Sequence, residues 1–356
     1  MGNSLRIYRT IMGSIRQLLD DIRVTRQRNL GWMVTGLVMA EHIHLAEIAA
    51  HKPGWAKLDS VVRAFRRFLS NDAVDVHGWY APLARQILQA AAGGRIRLLI
   101  DTLELSGRRQ VMMLALAYRS RAMPIFWHVT RRKGLSDSAA QIALLEEIVP
   151  WIPANAEVVL MGDGEFHSTH LMGWLQQQEW HFRLRLHADT HIRLSGGTWV
   201  QCRDLNLEPG ERRYFQQVMV TQSRRYGPIH LAAVWPEDEE DRWYIATDQP
   251  ASYATLRDYS LRMWIEEFFG DIQGSRFSLH LTRIYVPERL SRLLLVVCLA
   301  YTWLLHTGAW VIKRGFRHLI DRSDRRDRSL FQLGVHWLQR CLTNSKSLHI
   351  GFKPYL

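Results

Sequence analysis

The stretch Asp258–Phe277, DYSLRMWIEEFFGDIQGSRF, predicts an amphipathic α-helix. Because an α-helix turns by ~100° per residue, one continuous helix would separate the polar and apolar side chains of this stretch onto opposite faces. The apolar face would carry Leu261, Ile265, Phe268 and Ile272. The polar face would present a phenol, a guanidinium, a carboxylate and an amide in one row, from Tyr259, Arg262, Glu266 and Gln273.

Two interpretations of that polar row are open. It is typical of a solvated helix face with an ion pair between Arg262 and Glu266, worth a few tenths of a kcal/mol. The spacing Tyr259-x2-Arg262-x3-Glu266-x6-Gln273 also resembles the Y-x2-R-x3-E-x6-K signature of the IS-four family of bacterial insertion-sequence transposases. In that family the glutamate is the last acid of a DDE metal site. The closing lysine is replaced here by Gln273, so the resemblance leaves its phosphate contact to Gln273 or to Arg276.

Two aspartates further toward the N-terminus each follow an apolar run that predicts a strand. Asp101 comes after Arg97–Ile100, and Asp163 comes after VVLMG. Either residue alone is also typical of a turn or a helix cap. As a pair, LLIDT and VVLMGDGEF resemble the first and second aspartate motifs of the same transposases.

The resemblance implies that Asp101, Asp163 and Glu266 are the catalytic and metal-binding residues. Carboxylates are the ligands that Mg²⁺ prefers, and two such ions serve phosphodiester displacement. We expect a site for two Mg²⁺ ions, with Mn²⁺ as a substitute. Asp101 would bridge the two ions, and Asp163 and Glu266 would bind one ion each. Rival ligands are Glu104, Glu165, Glu267 and Asp271. Glu267 lies ~100° around the helix from Glu266, so geometry favours Glu266.

The predicted elements after residue 92 are three strands, a helix, a strand, a helix and a strand. The resemblance implies that this order is an α/β, ribonuclease-H-like (retroviral-integrase-like) catalytic domain over residues 93–285. A region of short strand candidates from about 193 to 247 is expected to be a β insertion. Within it Trp243 resembles the tryptophan that stacks on a flipped base in this family, although packing is the ordinary role of a strand tryptophan. The acidic run Glu237–Asp241 predicts a solvated hairpin tip.

Residues 1–92 predict a helical domain that binds DNA ends. Two helices flank Lys52-Pro53-Gly54, and the second carries three arginines beside apolar residues, as in a helix-turn-helix. An ordinary helical hairpin is equally consistent with this pattern. The arginines are Arg63, Arg66 and Arg67, within a phrase similar to the basic motif that precedes the family's catalytic domain.

Residues 286–356 predict a C-terminal helical region that packs on the core. Its apolar run Leu293–Val311 is long enough to span a membrane, but it contains His306 and follows Glu288 and Arg289. A buried core helix and no membrane contact are therefore expected. The basic segment Lys313–Arg328 is typical either of a loop that follows DNA phosphates or of a soluble surface.

The composition favours a folded protein with a polyanionic partner. Lys and Arg number 46 against 34 Asp and Glu, a formal charge of +12, while 47% of residues are hydrophobic. The three cysteines form no metal-binding pattern, and the first residues lack a secretory signal. These features predict a cytoplasmic, nucleoid-associated bacterial protein.

The resemblance implies a cut-and-paste transposase that acts on double-stranded DNA. Such an enzyme binds terminal inverted repeats, cleaves through a hairpin intermediate and joins the 3′-hydroxyl to target DNA as a homodimer. The residues expected to contact DNA are Tyr259, Arg262, Gln273, Arg276, Trp243, Arg63, Arg66 and Arg67. Two alternatives remain at this point: a ribonuclease-H-like nuclease that does not join strands, and a non-catalytic DNA-binding protein derived from a transposase.

Overall fold

The N-terminal part of the chain is helical. The computed structural model describes residues 2–131, 134–274, 276–348 and 351–352, and five helices precede its first strand. Apolar side chains at three- and four-residue spacing bury one side of the first helix, as Ile7, Ile11 and Ile15 show. The helices are α1 (Asn3–Leu18), α2 (Val24–Ala40), α3 (Leu45–Ala50), α4 (Leu58–Leu69) and α5 (Val76–Ala91).

Ten strands form one mixed sheet in the described part of the chain, so the prediction of an α/β protein is confirmed. The strands are β1 (Ile96–Leu105), β2 (Arg109–Tyr118), β3 (Arg121–Arg131), β4 (Val158–Gly162), β5 (His181–Arg185), β6 (His191–Arg193), β7 (Trp199–Gln201), β8 (Arg212–Val220), β9 (Tyr226–Val234) and β10 (Trp243–Thr247). Across the sheet they follow the order β3-β2-β1-β4-β5-β10-β9-β8-β6-β7. The central pairs β1–β4 and β4–β5 are parallel, whereas β1–β2 and β2–β3 are antiparallel.

Asp101 does not stand at the end of its strand, and that prediction is wrong. β1 continues to Leu105 because β2 pairs with it as far as Arg109. β4 is shorter and stops at Gly162, opposite Ile100. Asp101 is therefore the first residue of β1 that lies beyond the β4 pairing, and Asp163 is the first residue after β4.

The strands between about 193 and 247 extend the central sheet. β10 pairs antiparallel with β5, with Ile245 opposite Arg185, and β9 pairs with the other edge of β10. The turn between β9 and β10 contains the acidic run and is exposed, as predicted for a hairpin tip. Because β10 lies next to β5, this turn lies near the same edge of the sheet as Asp163.

The single helix predicted from Tyr259 to Gln273 is wrong. The structure has two helices, α8 (Tyr253–Ser260) and α9 (Met263–Gln273). At the junction the Leu261 N–H donates to the Asp258 carbonyl, and the Arg262 N–H donates to the Tyr259 carbonyl. These bonds reach back three residues instead of four, so the chain tightens and changes direction. Tyr259 consequently belongs to the earlier helix.

The remaining helices are α6 (Ser138–Glu146), α7 (Thr169–Gln177), α10 (Pro287–Lys313) and α11 (Leu330–Thr343). By length and composition, α10 alone among helices of the described residues could cross a membrane, yet 89% of its most apolar stretch is buried inside the protein. It packs against β3, α2 and α11. Its apolar side chains are thus accounted for by the core.

The α10 and α11 helices cross with their backbones in contact. A Cβ atom added to Gly308 would lie 2.0 Å from the Leu330 carbonyl oxygen. One added to Gly334 would lie 1.9 Å from the Leu304 carbonyl oxygen. Only glycine allows the two helices to approach this closely.

Candidate functional site

The three predicted acids line one cavity at the edge of the sheet. Asp101 on β1, Asp163 after β4 and Glu266 on α9 border a volume of about 690 Å³. Asp163 and Glu266 follow Asp101 by 62 and 165 positions, and they are brought to it because β1 and β4 are neighbours and α9 packs against β1. The arrangement gives the cavity a carboxylate-rich floor.

An arginine lies between two of these acids. Arg262 donates from Nη1 to Asp101 Oδ2 at 3.4 Å and from Nη2 to Glu266 Oε1 at 2.6 Å. Burial disfavours its charge, but Tyr259, Glu266 and Asp101 outweigh that effect and raise the pKa of Arg262. Among the described residues, no three His, Cys, Asp or Glu side chains stand close enough to form a ready-made metal cluster. The guanidinium supplies the positive charge between these carboxylates.

The electrostatics of Asp101 favour an added cation. Burial raises the pKa of Asp101 to about 7, and the nearby Asp163 carboxylate adds to this effect. Arg262 and the Thr102 N–H, which donates to Asp101 Oδ1 at 2.8 Å, offset only part of it. A cation bound here would stabilise the ionised carboxylate.

Four buried polar atoms in or beside the cavity have no hydrogen-bond partner among the described residues. They are Nε of Arg262 and Arg242 and the hydroxyls of Tyr259 and Tyr244. Tyr259 is 2% exposed, and burial raises the pKa of its phenol to about 12, so the hydroxyl is a donor. Buried polar groups are almost always satisfied in folded proteins. A phosphate bound in the cavity would supply acceptor oxygens for donors of this kind.

Trp243 stands beside Tyr259 and is held by the acidic turn. The two rings meet edge to face with centroids 5.3 Å apart. The indole N–H of Trp243 donates to Glu239 Oε2 at 2.7 Å. The half-buried ring is therefore oriented by a polar contact as well as by packing.

The acidic turn is more than a solvated tip, because Glu240 and Asp241 line the cavity. Asp241 Oδ2 lies 3.4 Å from the Arg185 guanidinium, which is on β5. Arg185, Arg203 and Arg242 also line the cavity. These three arginines were not among the residues predicted from the sequence. The alternation in His181–Leu186 was an available signal for Arg185, since it places that residue on a strand next to the Asp163 strand.

Asp258 attaches α8 to the N-terminal end of β1. Its buried carboxylate accepts from Arg95 Nη1 at 3.2 Å and from Arg97 Nε at 3.1 Å. Residues 97 and 101 share one face of the strand because side chains alternate along it. The two helices around Leu261 are thus attached to β1 twice, at Arg97 through Asp258 and at Asp101 through Arg262.

The rival ligands are engaged elsewhere. Arg121 pairs with Glu267 at 3.0 Å and with Asp271 at 2.8 Å, and burial raises the pKa of Asp271 to about 6. Glu165 accepts from the N–H and the hydroxyl of Ser136, each at 2.6 Å, and Glu104 accepts from Gln110 at 3.1 Å. The structure brings Glu266, and none of these four, to the cavity.

Of the eight predicted DNA contacts Arg262 lines the cavity, and the other seven, Tyr259 and Trp243 included, are not among its lining residues. Gln273 ends α9 and donates to the Glu104 carbonyl at 3.3 Å. Arg276 forms an ion pair with Glu41, which follows α2, so its charge is directed toward the N-terminal helices. The three arginines of α4 are exposed: Arg63, Arg66 and Arg67.

A protein-family model matches this chain. The family model described as Transposase DDE domain covers residues 104–303, more than half of the 356 residues. The matched range includes Asp163 and Glu266 and begins just after Asp101. A search of curated proteins found no match.

Proposed function

The chain belongs to the transposase DDE domain family, and from this membership and the cavity geometry we propose that it is a cut-and-paste DNA transposase. Its substrates are the terminal inverted repeats of its element and target DNA, both double-stranded. The observation that carries this proposal is that Asp101, Asp163 and Glu266 line one cavity, which four arginines also line: Arg185, Arg203, Arg242 and Arg262.

The fold supports a ribonuclease-H-like catalytic domain over residues 93–285. The strand order β3-β2-β1-β4-β5, with the acids after the parallel pair, is the arrangement expected of that class. Residues 1–92 would bind DNA ends through α3 and α4, and residues 286–356 would support the core. A homodimer in the bacterial cytoplasm would bring two ends together.

We propose that Asp101, Asp163 and Glu266 hold two Mg²⁺ ions, or Mn²⁺ in their place. The donor set fits, since all three are carboxylates and a cation would stabilise the ionised form of the buried Asp101 beside Asp163. When bound, such ions supply charge neutralisation and an activated oxygen nucleophile. Arg262 orients the Asp101 and Glu266 carboxylates from between them.

The basic side chains of the cavity would bind the phosphates next to the cleaved bond. Arg262 Nε and the Tyr259 hydroxyl are donors without partners in the described structure. Arg185 faces the same cavity but pairs with Asp241, so DNA phosphates would compete with that carboxylate. A buried or half-buried guanidinium holds a phosphate in a defined orientation by paired hydrogen bonds.

The decisive experiment uses the DNA that flanks the gene. A duplex carrying its inverted repeats is incubated with the purified protein and Mg²⁺, and the strands are resolved on a denaturing gel. A transposase releases a 3′-hydroxyl at the repeat end and joins it to a target plasmid. Cleavage without joining of a pre-cut end would indicate the nuclease alternative, and neither reaction would indicate the non-catalytic one.

Trp243→Ala is expected to reduce hairpin formation roughly tenfold while the first nick proceeds, because base stacking on an aromatic ring contributes ~1–3 kcal/mol. A hairpin requires the terminal bases to unstack, whereas a nick does not. Time courses of nick and hairpin products measure the two steps separately. Trp243→Phe is the control and should keep most of the hairpin product. Equal losses of nick and hairpin would argue that Trp243 serves packing alone.

Gln273→Lys restores the signature lysine and is expected to tighten terminal-repeat binding severalfold. One added phosphate contact should also steepen the dependence of log K on log salt by ~0.9. Fluorescence anisotropy over a salt series gives both quantities. Gln177→Lys adds the same charge to the exposed end of α7 and serves as the control. A similar gain in both variants would show that net charge, not position 273, is responsible.

A further inference from the structure

A second large cavity lies between the N-terminal helices and the segment that follows α9. Its volume is about 680 Å³. One wall comes from α3 and α4, and the other from residues 282–289, more than 200 positions later in the chain. His44 Nε2 approaches the Leu281 carbonyl at 3.3 Å and joins the two walls. We call this cavity the interdomain groove.

The charge of the interdomain groove is positive. Arg66, Arg283 and Arg289 line it and are exposed. In residues 2–131, 134–274, 276–348 and 351–352, no carboxylate forms an ion pair with any of the three. Many other arginines of this chain are paired, as Arg121 and Arg262 show. Free guanidinium groups lining one groove favour an anionic ligand.

A buried arginine holds the second wall in place. Arg109 is 0% exposed and donates to the carbonyls of Thr282 at 3.1 Å and Ile284 at 2.8 Å. Its guanidinium also lies over the Tyr285 ring, 4.6 Å from the centroid. Gly107 permits this packing, because a Cβ there would come within 2.8 Å of the same ring. The wall is therefore attached to the β1–β2 hairpin before any ligand arrives.

We propose that the interdomain groove binds the sugar-phosphate backbone of duplex DNA, with Arg66 on one wall and Arg283 and Arg289 on the other. This inference rests on the proposed function and adds a phosphate-binding site away from the catalytic cavity. Arg66 and Arg67 lie three and four residues after Arg63 on α4, and all three are exposed, so positive charge continues from the groove along that helix. A continuous row of guanidinium groups suits a regularly charged polyanion.

The test is the affinity of the Arg283→Ala/Arg289→Ala variant for a terminal-repeat duplex, measured by fluorescence anisotropy without metal ions. Removing two phosphate contacts should reduce the slope of log K against log salt by ~1.8 and weaken binding at least tenfold at low salt. Arg283→Lys/Arg289→Lys keeps the charge and should retain most of the slope. Arg224→Ala/Arg225→Ala removes the same charge from the exposed β8–β9 turn and should leave the slope near that of the wild type.

An unchanged slope in the Arg283→Ala/Arg289→Ala variant would overturn the proposal, and so would an equal loss in the Arg224→Ala/Arg225→Ala control. The Arg283→Ala/Arg289→Ala variant could instead lose binding to a polyglutamate peptide while its DNA slope stays at the wild-type value. That result would overturn the proposal and show that the groove binds an acidic protein segment. Binding without metal does not depend on cleavage. A wild-type protein that binds DNA with the expected slope but never cuts it would contradict the proposed function and leave the groove assignment standing.

Discussion

Asp101→Asn is expected to lower the rate of DNA strand cleavage by on the order of 10³-fold or more, since metal-assisted charge stabilisation contributes several kcal/mol to such reactions. The amide keeps the shape of the side chain but cannot supply a negative charge to a cation. Cleavage of a terminal-repeat duplex in Mg²⁺ and in Mn²⁺ measures the effect. Cleavage at the wild-type rate would remove Asp101 from the active site.

The same substitution should leave the protein folded and make it more stable above neutral pH. The pKa of Asp101 is about 7 in the folded protein against an ordinary value of 3.8, because burial and Asp163 disfavour the charge. The folded state thus holds a proton that the unfolded state releases, and stability falls as pH rises from about 4 to about 7. Asn has no such proton. Urea unfolding at pH 5 and pH 8 should show the advantage of the variant growing with pH.

Metal addition separates a catalytic carboxylate from a merely buried one. Mg²⁺ or Mn²⁺ should raise the melting temperature of the wild-type protein, because an ion that binds only the folded state stabilises it. The Asp101→Asn variant should show a much smaller shift under the same conditions. Glu267→Gln is the matched control, since Glu267 pairs with Arg121 away from the cavity. Equal shifts in all three proteins would indicate that the ions bind elsewhere.

Gly334→Ala is expected to destabilise the protein by about 3 kcal/mol or more, at the upper end of the cost of overpacking. The new methyl group would lie 1.9 Å from the Leu304 carbonyl oxygen, which belongs to the backbone of α10 and cannot rotate away. The two helices would have to separate along their whole contact. Urea unfolding monitored by tryptophan fluorescence measures the loss.

Gly13→Ala is the control for that experiment because it is expected to increase the free energy of unfolding, whereas Gly334→Ala should decrease it. Gly13 is an exposed residue inside α1, and a Cβ there meets nothing within 4 Å. Replacing a helical glycine with alanine stabilises by ~0.5–1 kcal/mol. If both variants lost stability equally, the close crossing of α10 and α11 would not be the cause.

Local patterns predicted the elements well. Each apolar run between residues 97 and 186 that indicated a strand or a helix is one in the structure. The three acids chosen from the motif spacing line one cavity, and their catalytic role stays a prediction. The predictions of elements succeeded because burial on one or both faces of an element leaves a trace in the order of apolar residues.

Features that depend on distant pairing could not be predicted. The break at Leu261 has no proline or glycine to mark it, and it accompanies the contacts of Arg262 with Asp101 and of Asp258 with Arg97. The placement of the acidic turn at the cavity follows from β10 joining β5, which is a property of the whole sheet. No local periodicity encodes either contact.

The two ion pairs that attach α8 and α9 to β1 also favour one alignment of these helices along the strand over alignments shifted by a few residues. Asp258 faces Arg97 and Arg262 faces Asp101. Along the chain, the strand therefore carries its cation first and its anion second, whereas the helices carry their anion first and their cation second. A slide that carried Arg262 toward Arg97 would set two cations against each other and leave Asp101 beside Asp163 without a counterion. The two ion pairs therefore favour the one alignment of α8 and α9 on β1 in which Glu266 lies near Asp101 and Asp163.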